Sequence, residues 1–222
     1  MGQRGENARA VLMDAAEELF ARHGIEGASS RQIAELAGQS NHSAVRYHFG
    51  TRDDLVRALV LRHRSVTHTR QAEMIAGLND AADVRTLLAC RVMPWMEMMA
   101  TLPAPSWHAR FLAQLYLWPQ GRNLLVEIGR SADVVAPVGD LDARIATHLH
   151  GIPPTVLRGR ADILGHMMLG VCAAYEGDVD SGAKQPNWIG VGNFVIDSSA
   201  GMLTAPVTHQ SDAPVSAPAT FI

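Results

Sequence analysis

The stretch that decides the fold is Ser29–Asp54, SSRQIAELAGQSNHSAVRYHFGTRDD. Ser29 is followed three residues later by Gln32, which is the spacing of a capping box at the start of a helix. Gly38 comes little more than two turns further on, and a glycine there can adopt the left-handed conformation that ends a helix. The stretch therefore begins with a short helix followed by a tight turn.

The next segment predicts a second short helix, from Asn41 to about His48, with Ser40 as its N-cap. Its only evident apolar anchors are Ala44 and Val45, so burial stabilises this helix little and its polar face needs another explanation. Asparagine, serine, histidine and arginine side chains can hydrogen-bond to base edges in the major groove of DNA. The pattern therefore predicts a helix-turn-helix that binds DNA; a merely solvated helix face is the alternative.

The flanking segments predict two supporting helices. Asn7–His23 has apolar residues at helical spacing and is followed by Gly24, which can end the helix. Thr51 and Asp54 form a second capping-box pattern, which starts a fourth helix expected to run from Arg52 to about Ala76. Because the far half of this helix is polar, we expect it to connect the N-terminal domain to the rest of the chain.

With these helices in place, the segment Ala15–Leu59 resembles the TetR family of transcriptional regulators. The shared features are AAEELFARHG in the first helix, RQIAELAG in the second, and Tyr47-His48-Phe49 with the helix start that follows it. The chain departs from the common family pattern at two places. Gln39 stands where many members have an apolar residue, and Asn41-His42 stand where many have Lys-Gly. These departures leave the recognised base sequence open.

The DNA-binding surface is predicted at two places. One is the N-terminus of the second helix, where backbone N–H groups favour a phosphate, and the other is the third helix with its flanking residues. The predicted contact residues are Ser29, Ser30, Arg31, Gln39, Ser40, Asn41, His42, Ser43, Arg46, Tyr47, His48 and Arg52. The resemblance implies that they bind a palindromic double-stranded DNA operator within a homodimer.

The remaining sequence predicts only helices, without internal repeats or strand-like alternation. Pro94 is expected to kink a helix that spans Asp80–Ala100. The predicted fold is all-α: an N-terminal three-helix helix-turn-helix domain at 1–50 is joined by the long fourth helix to a helical ligand-binding and dimerisation domain at 51–204. The Pro/Ala/Ser-rich residues 205–222 are expected to form a disordered tail.

Aromatic residues and methionines are concentrated between Met93 and Trp118 and in the long helix near the C-terminus. At helical spacing such residues are most often plain core, but methionine adapts to irregular ligands, and apolar pockets between helices commonly bind small molecules. A pocket for an apolar or amphipathic effector is therefore predicted. Its candidate residues are Trp95, Met96, Met99, Trp107, His108, Phe111, Leu115, Tyr116, Met167, Met168, Cys172 and Tyr175.

The last two predicted helices, Pro154–Tyr175 and Asn187–Thr204, resemble the pair that forms a four-helix bundle between subunits in the TetR family. Both are rich in glycine and alanine, which permit the close approach of helices. A homodimer through these two helices is therefore predicted. The alternative is an intramolecular core rich in small residues.

Composition limits the other function classes. The formal net charge is −3, so the positive charge that DNA binding requires must be local. Cys90 and Cys172 lie in apolar contexts without metal-ligand spacing, which predicts free thiols in a reducing compartment. Because we find no signal peptide, membrane-span pattern, cofactor motif, catalytic constellation or metal site, we expect a cytoplasmic protein that is not an enzyme.

With the resemblance, these features predict a ligand-responsive DNA-binding transcriptional regulator, with a repressor as the expected type. The alternative is a helical small-molecule carrier, or a degenerate enzyme, that keeps its helix-turn-helix only as a scaffold. Salt-sensitive, sequence-specific DNA binding would distinguish the two.

Overall fold

The computed structural model describes residues 3–129 and 141–208, and within those ranges it contains helices and their connections but no β-strand. The all-α prediction is confirmed. The helices are α1 Gln3–His23, α2 Ser30–Leu36, α3 Ala44–Phe49, α4 Arg52–Leu61, α5 Arg64–Ala76, α6 Val84–Met99, α7 His108–Leu117, α8 Gly121–Gly129, α9 141–148, α10 Pro154–Asp180 and α11 Trp188–Thr204. Residues 209–222, which make up most of the predicted tail, lie outside the described ranges.

Helix α2 begins as its capping pattern predicts. The Ser29 hydroxyl accepts a hydrogen bond from the Gln32 backbone N–H at 3.2 Å, and the Gln32 side chain accepts one from the Ser29 N–H at 2.8 Å. After α2 the chain turns at Gly38, whose φ of +65° lies in the left-handed region that favours glycine. The capping box and the turn are both confirmed.

The prediction that Ser40 caps the third helix is wrong. Helix α3 starts at Ala44, with Ser43 as its N-cap residue and without a side-chain capping bond. The reason is a local turn made by Asn41, whose side-chain oxygen accepts from the Ser43 N–H at 2.9 Å while its carbonyl accepts from the Ala44 N–H at 3.0 Å. Asparagine side chains commonly compete with helical hydrogen bonds in this way, and the helix therefore starts later than its composition suggests.

The predicted long fourth helix is divided into α4 and α5 at Arg62 and His63. Its capping box is present, because the Thr51 hydroxyl accepts from the Asp54 N–H and the Asp54 carboxylate accepts from the Thr51 N–H, each at 3.1 Å. The interruption falls where two residues contact other helices of unit 1. The Arg62 guanidinium lies 2.6 Å from the Asp14 carboxylate of α1. The His63 ring packs edge-on against the His108 ring of α7.

The chain forms two compact units. Unit 1 comprises Met1–Arg64, Pro103–Leu124 and Leu169–Lys184, and unit 2 comprises Ser65–Leu102, Leu125–Met168 and Gln185–Ile222. In unit 1, α1 packs against α7, with Phe20 and Phe111 stacked at a centroid distance of 6.2 Å. The domain boundary at residue 50 stays a prediction.

In unit 2, helix α11 packs against α6. Gly192 permits their close approach, because a Cβ at this position would lie 2.7 Å from the Met93 sulfur and 2.9 Å from Met96 Cγ. Pro94 lies inside α6, as predicted from the sequence. Across the described parts of the chain, we find no helix with the length and apolarity that a membrane span requires.

Candidate DNA-binding surface

Helix α3 presents a polar face to solvent. Ala44, Val45 and Phe49 are buried beneath it, whereas Arg46 and Tyr47 are exposed, the latter to 80%. An aromatic side chain with this exposure does not stabilise the fold by burial. The arrangement therefore leaves this short helix free to contact a partner with its outer side chains.

The sequence-predicted DNA contacts all lie in unit 1, between the N-cap residue of α2 and the start of α4. Nine of them are exposed, and they are Ser29, Ser30, Arg31, Ser40, Asn41, His42, Ser43, Arg46 and Tyr47. Gln39, His48 and Arg52 are half-buried. Within the part of the chain that the structure describes, the buried Nδ1 of His48 has no hydrogen-bond partner.

The cations on this surface differ in how strongly they are held. Arg31 pairs with Glu35 one helical turn away at 2.7 Å, and this hydrogen bond raises the pKa of Arg31 and lowers that of Glu35. Both side chains are exposed, so the pair is screened by water, and Arg31 can exchange its partner for a phosphate. Among the described residues the Arg46 guanidinium has no ion pair, which leaves its donors available.

Two other arginines are tied to the main chain of the helix-turn-helix. Arg52 donates from Nη1 to the Ile25 carbonyl and from Nη2 to the Ala28 carbonyl, both at 2.9 Å. Arg9, on α1, donates to the His48 carbonyl at 2.9 Å. Arg9 was not a candidate from the sequence, because nothing in the amphipathic pattern of its helix marks a contact with a residue 39 positions away.

Residues 12–59, which contain this surface, match the sequence profile of the bacterial regulatory proteins of the tetR family. This N-terminal segment is of the TetR family. It is 33% identical over 75 residues to the HTH-type transcriptional repressor AcnR of Corynebacterium glutamicum, and 38% identical over 58 residues to AcnR of Corynebacterium efficiens. These alignments cover 34% and 26% of this chain, and only 37% and 30% of the two relatives.

A solved structure of a putative TetR-family transcriptional regulator from Mesorhizobium loti aligns with 91% of this chain and 97% of its own, at 16% identity and a TM-score of 0.49. The curated relatives match about a third of this chain or less, and the resemblance predicted from Ala15–Leu59 is confirmed by the family match over residues 12–59.

The predicted effector residues are divided between the two units. Trp95, Met96, Met99, Met167 and Met168 lie in unit 2, and the other seven lie in unit 1.

In unit 1 several of the predicted effector residues have structural partners. The His108 Nδ1 is 2.6 Å from the Glu17 carboxylate, and both residues are buried. The Trp107 ring contacts the guanidinium of Arg110 at 3.9 Å from its centroid. Cys172 is fully buried, and burial raises the pKa of its thiol to about 12. These contacts are those of a packed core, and a ligand role for the residues stays a prediction.

Unit 2 contains a narrow cleft between α6, α10 and α11. It is lined by Leu88, Arg91, Val92, Leu164, Met168, Val195 and Ser199, of which Met168 is a predicted effector residue. The Arg91 side chain is buried, pairs with Asp142, and has its pKa lowered to about 10 by burial. No group of three or more potential metal ligands occurs within the described residues.

The surface of unit 2 also exposes apolar side chains on the two helices predicted to form a dimer. Ile163 on α10 and Ile189 and Phe194 on α11 are exposed, Phe194 to 60%. The glycines of α11 differ in role: Gly192 packs against α6, whereas a Cβ added to Gly201 would meet nothing within 4 Å. Some of the small residues therefore serve the core of the chain and others face open space.

Proposed function

We propose that this chain is a DNA-binding transcriptional regulator, of the repressor type, that acts as a homodimer and responds to a small molecule. The observation that carries the proposal is the exposed polar face of α3, held between capped helices in a segment that matches the TetR family. The relatives named as repressors support the type of regulation.

In the proposed complex, α3 enters the major groove. Asn41, His42, Ser43 and Arg46 face the base edges, because these exposed groups supply both hydrogen-bond donors and acceptors. The backbone N–H groups at the start of α2, beside Arg31, face a phosphate, together with Tyr47 of α3. Base contacts then specify the sequence, while phosphate contacts fix the position of the protein.

A homodimer is proposed because two copies of α3 can bind two half-sites, which lie about 34–36 Å apart when separated by one turn of the duplex. The exposed apolar residues Ile163, Ile189 and Phe194 support an interface through α10 and α11, since such side chains gain stability when a partner covers them. Sedimentation of the protein at micromolar concentration as a monomer would contradict the dimer.

The proposed regulation requires an apolar or amphipathic effector that binds the helical region after α5. The effector can shift the protein away from its DNA-binding conformation only by as much as its affinity for that conformation differs from its affinity for the conformation that does not bind DNA. The concentration of methionine and aromatic residues in this region supports this part of the proposal. A compound that raises the thermal unfolding midpoint of the free protein, yet leaves operator affinity unchanged, would not be the effector.

The test of DNA binding starts by selecting duplexes from a random-sequence pool with the wild-type protein. We then compare Arg46→Ala with Arg22→Ala, a control that removes an exposed arginine of α1 outside the predicted surface. Loss of a base contact costs about 1–3 kcal/mol, or roughly fivefold to 150-fold in affinity, and relaxes specificity at one position. The control should bind like the wild type, and equal binding by Arg46→Ala would exclude Arg46 as a contact.

A further inference from the structure

The end of the recognition helix is held by a side chain from α1. Helix α3 is short. In its last turn the Arg46 carbonyl accepts from the N–H of the C-cap residue Gly50 at 2.9 Å, and the carbonyls that follow lie beyond the reach of helical donors. Arg9 donates to one of them, the His48 carbonyl, at 2.9 Å, and its guanidinium carbon lies 4.3 Å from the centre of the Phe49 ring. One arginine thus holds both the main chain and the buried aromatic ring at the end of α3.

The segment before α2 is held in a matching way from α4. Arg52, the first residue of α4, donates to the carbonyls of Ile25 and Ala28, the latter directly before the Ser29 N-cap. Because both terminal nitrogens of the planar guanidinium are engaged, its orientation is fixed by two hydrogen bonds at once. A phosphate contact by Arg52 would have to compete with both.

We propose that Arg9 and Arg52 are positioning residues for DNA recognition, which hold the two ends of the helix-turn-helix through its main-chain carbonyls and do not themselves contact DNA. The inference rests on the proposed function. Its physical reason is that α3 buries only Ala44, Val45 and Phe49, so packing alone constrains the direction of the helix weakly. Hydrogen bonds from charged donors are stronger than neutral ones and directional, and base recognition depends on that direction.

Salt dependence separates positioning from direct contact. Removing a cation that binds a phosphate weakens binding to all duplexes alike and lowers the slope of log K against log salt concentration by about 0.9. Removing a positioning residue disturbs base contacts while leaving the phosphate contacts of the remaining cations in place. Its effect therefore falls on the selected duplex and leaves the slope unchanged.

The experiment uses the full chain and two fluorescent duplexes, one selected by the wild type from a random pool and one scrambled to the same composition. Affinity is measured by anisotropy at several salt concentrations for Arg9→Ala and Arg52→Ala. The control is Arg22→Ala, which removes an arginine from the same helix as Arg9 and is 52% exposed. Arg9→Lys and Arg52→Lys are measured as well, because lysine keeps the charge but can form only part of the contacts. If circular dichroism shows that an alanine variant does not fold, the lysine variant at the same position is used in its place.

We expect each alanine variant to bind the selected duplex at least about tenfold more weakly, with scrambled-duplex affinity within about twofold of wild type and the salt slope unchanged. If Arg52→Lys recovers only part of the affinity for the selected duplex, the result supports a role of Arg52 in holding two carbonyls at once. Full recovery of the affinity would contradict that role. The positioning role would be refuted, and the proposed function left standing, by either of two results. One is that the alanine variants bind the selected duplex as tightly as the wild type. The other is that they lose affinity equally for both duplexes and show a reduced salt slope. A wild-type protein that enriches no sequence would overturn the proposed function as well.

Discussion

The substitution Glu176→Gln should strongly destabilise the contact between α7 and α10. Glu176 is 1% exposed, and its carboxylate accepts hydrogen bonds from the Ser106 hydroxyl at 2.6 Å and from the backbone N–H groups of Ala109 and Arg110 at 3.1 and 3.0 Å. The Arg110 Nε donates a further bond at 3.0 Å. This carboxylate therefore supplies acceptors to the first turn of α7, where N–H groups have no helical partner.

The expected loss follows from these contacts. Glutamine keeps one acceptor oxygen, but it turns an NH₂ group toward donors and removes the charge that faces Arg110. Breaking a buried ion pair costs about 3–5 kcal/mol, and Asp180, which also pairs with Arg110, reduces that cost. We expect a loss of about 2–4 kcal/mol in the free energy of unfolding, a large part of the roughly 5–15 kcal/mol that stabilises a typical domain.

A matched control lies on the same helix. Asp178 pairs with Lys184 at 2.6 Å, but their side chains are 44% and 54% exposed. Asp178→Asn should therefore cost less than about 1 kcal/mol. Urea unfolding is followed by circular dichroism at one fixed protein concentration, because dimerisation would make the midpoint depend on concentration. A loss for Glu176→Gln no greater than that of the control would refute the role given to the buried carboxylate.

Three further substitutions test the packing. The pKa of His63 is lowered from 6.5 to about 4, chiefly by burial and then by the neighbouring His108. Because the unfolded chain therefore binds a proton more readily than the folded chain, the stability of the fold decreases as the pH drops from about 6.5 toward 4. His63→Asn should reduce the difference in the free energy of unfolding between pH 7 and pH 4.5 by on the order of 1–2 kcal/mol, after allowance for the partly exposed ring. Urea titrations at the two pH values measure this difference. Gly192→Ala should lower the free energy of unfolding by about 1–3 kcal/mol, because the added Cβ would lie 2.7 Å from the Met93 sulfur. Gly201→Ala, with open space around it, should instead raise the unfolding midpoint by the equivalent of about 0.5–1 kcal/mol; identical thermal melts for the two glycine variants would contradict both assignments.

Local patterns predicted the parts of the fold that local hydrogen bonds decide. The capping boxes at Ser29 and Thr51 and the turn at Gly38 depend on residues within a few positions, and each is present in the structure. The break between α4 and α5 was missed because Arg62 and His63 are acceptable in a helix. Their departure from it coincides with contacts to α1 and α7, which no local pattern encodes.

The same distinction applies to the candidate DNA-binding surface. The sequence could predict which side chains of α3 face outward, because a helix with few apolar residues has few ways to bury itself. It could not predict what fixes the direction of that helix, because Arg9 is 39 residues from the carbonyl it contacts, and Arg52 is 27 and 24 residues from its two. A short helix such as α3, which owes little of its stability to its own core, must take its orientation from its neighbours. If α3 binds DNA as proposed, the substitutions that alter recognition should therefore include residues of α1 and α4 that contact no base.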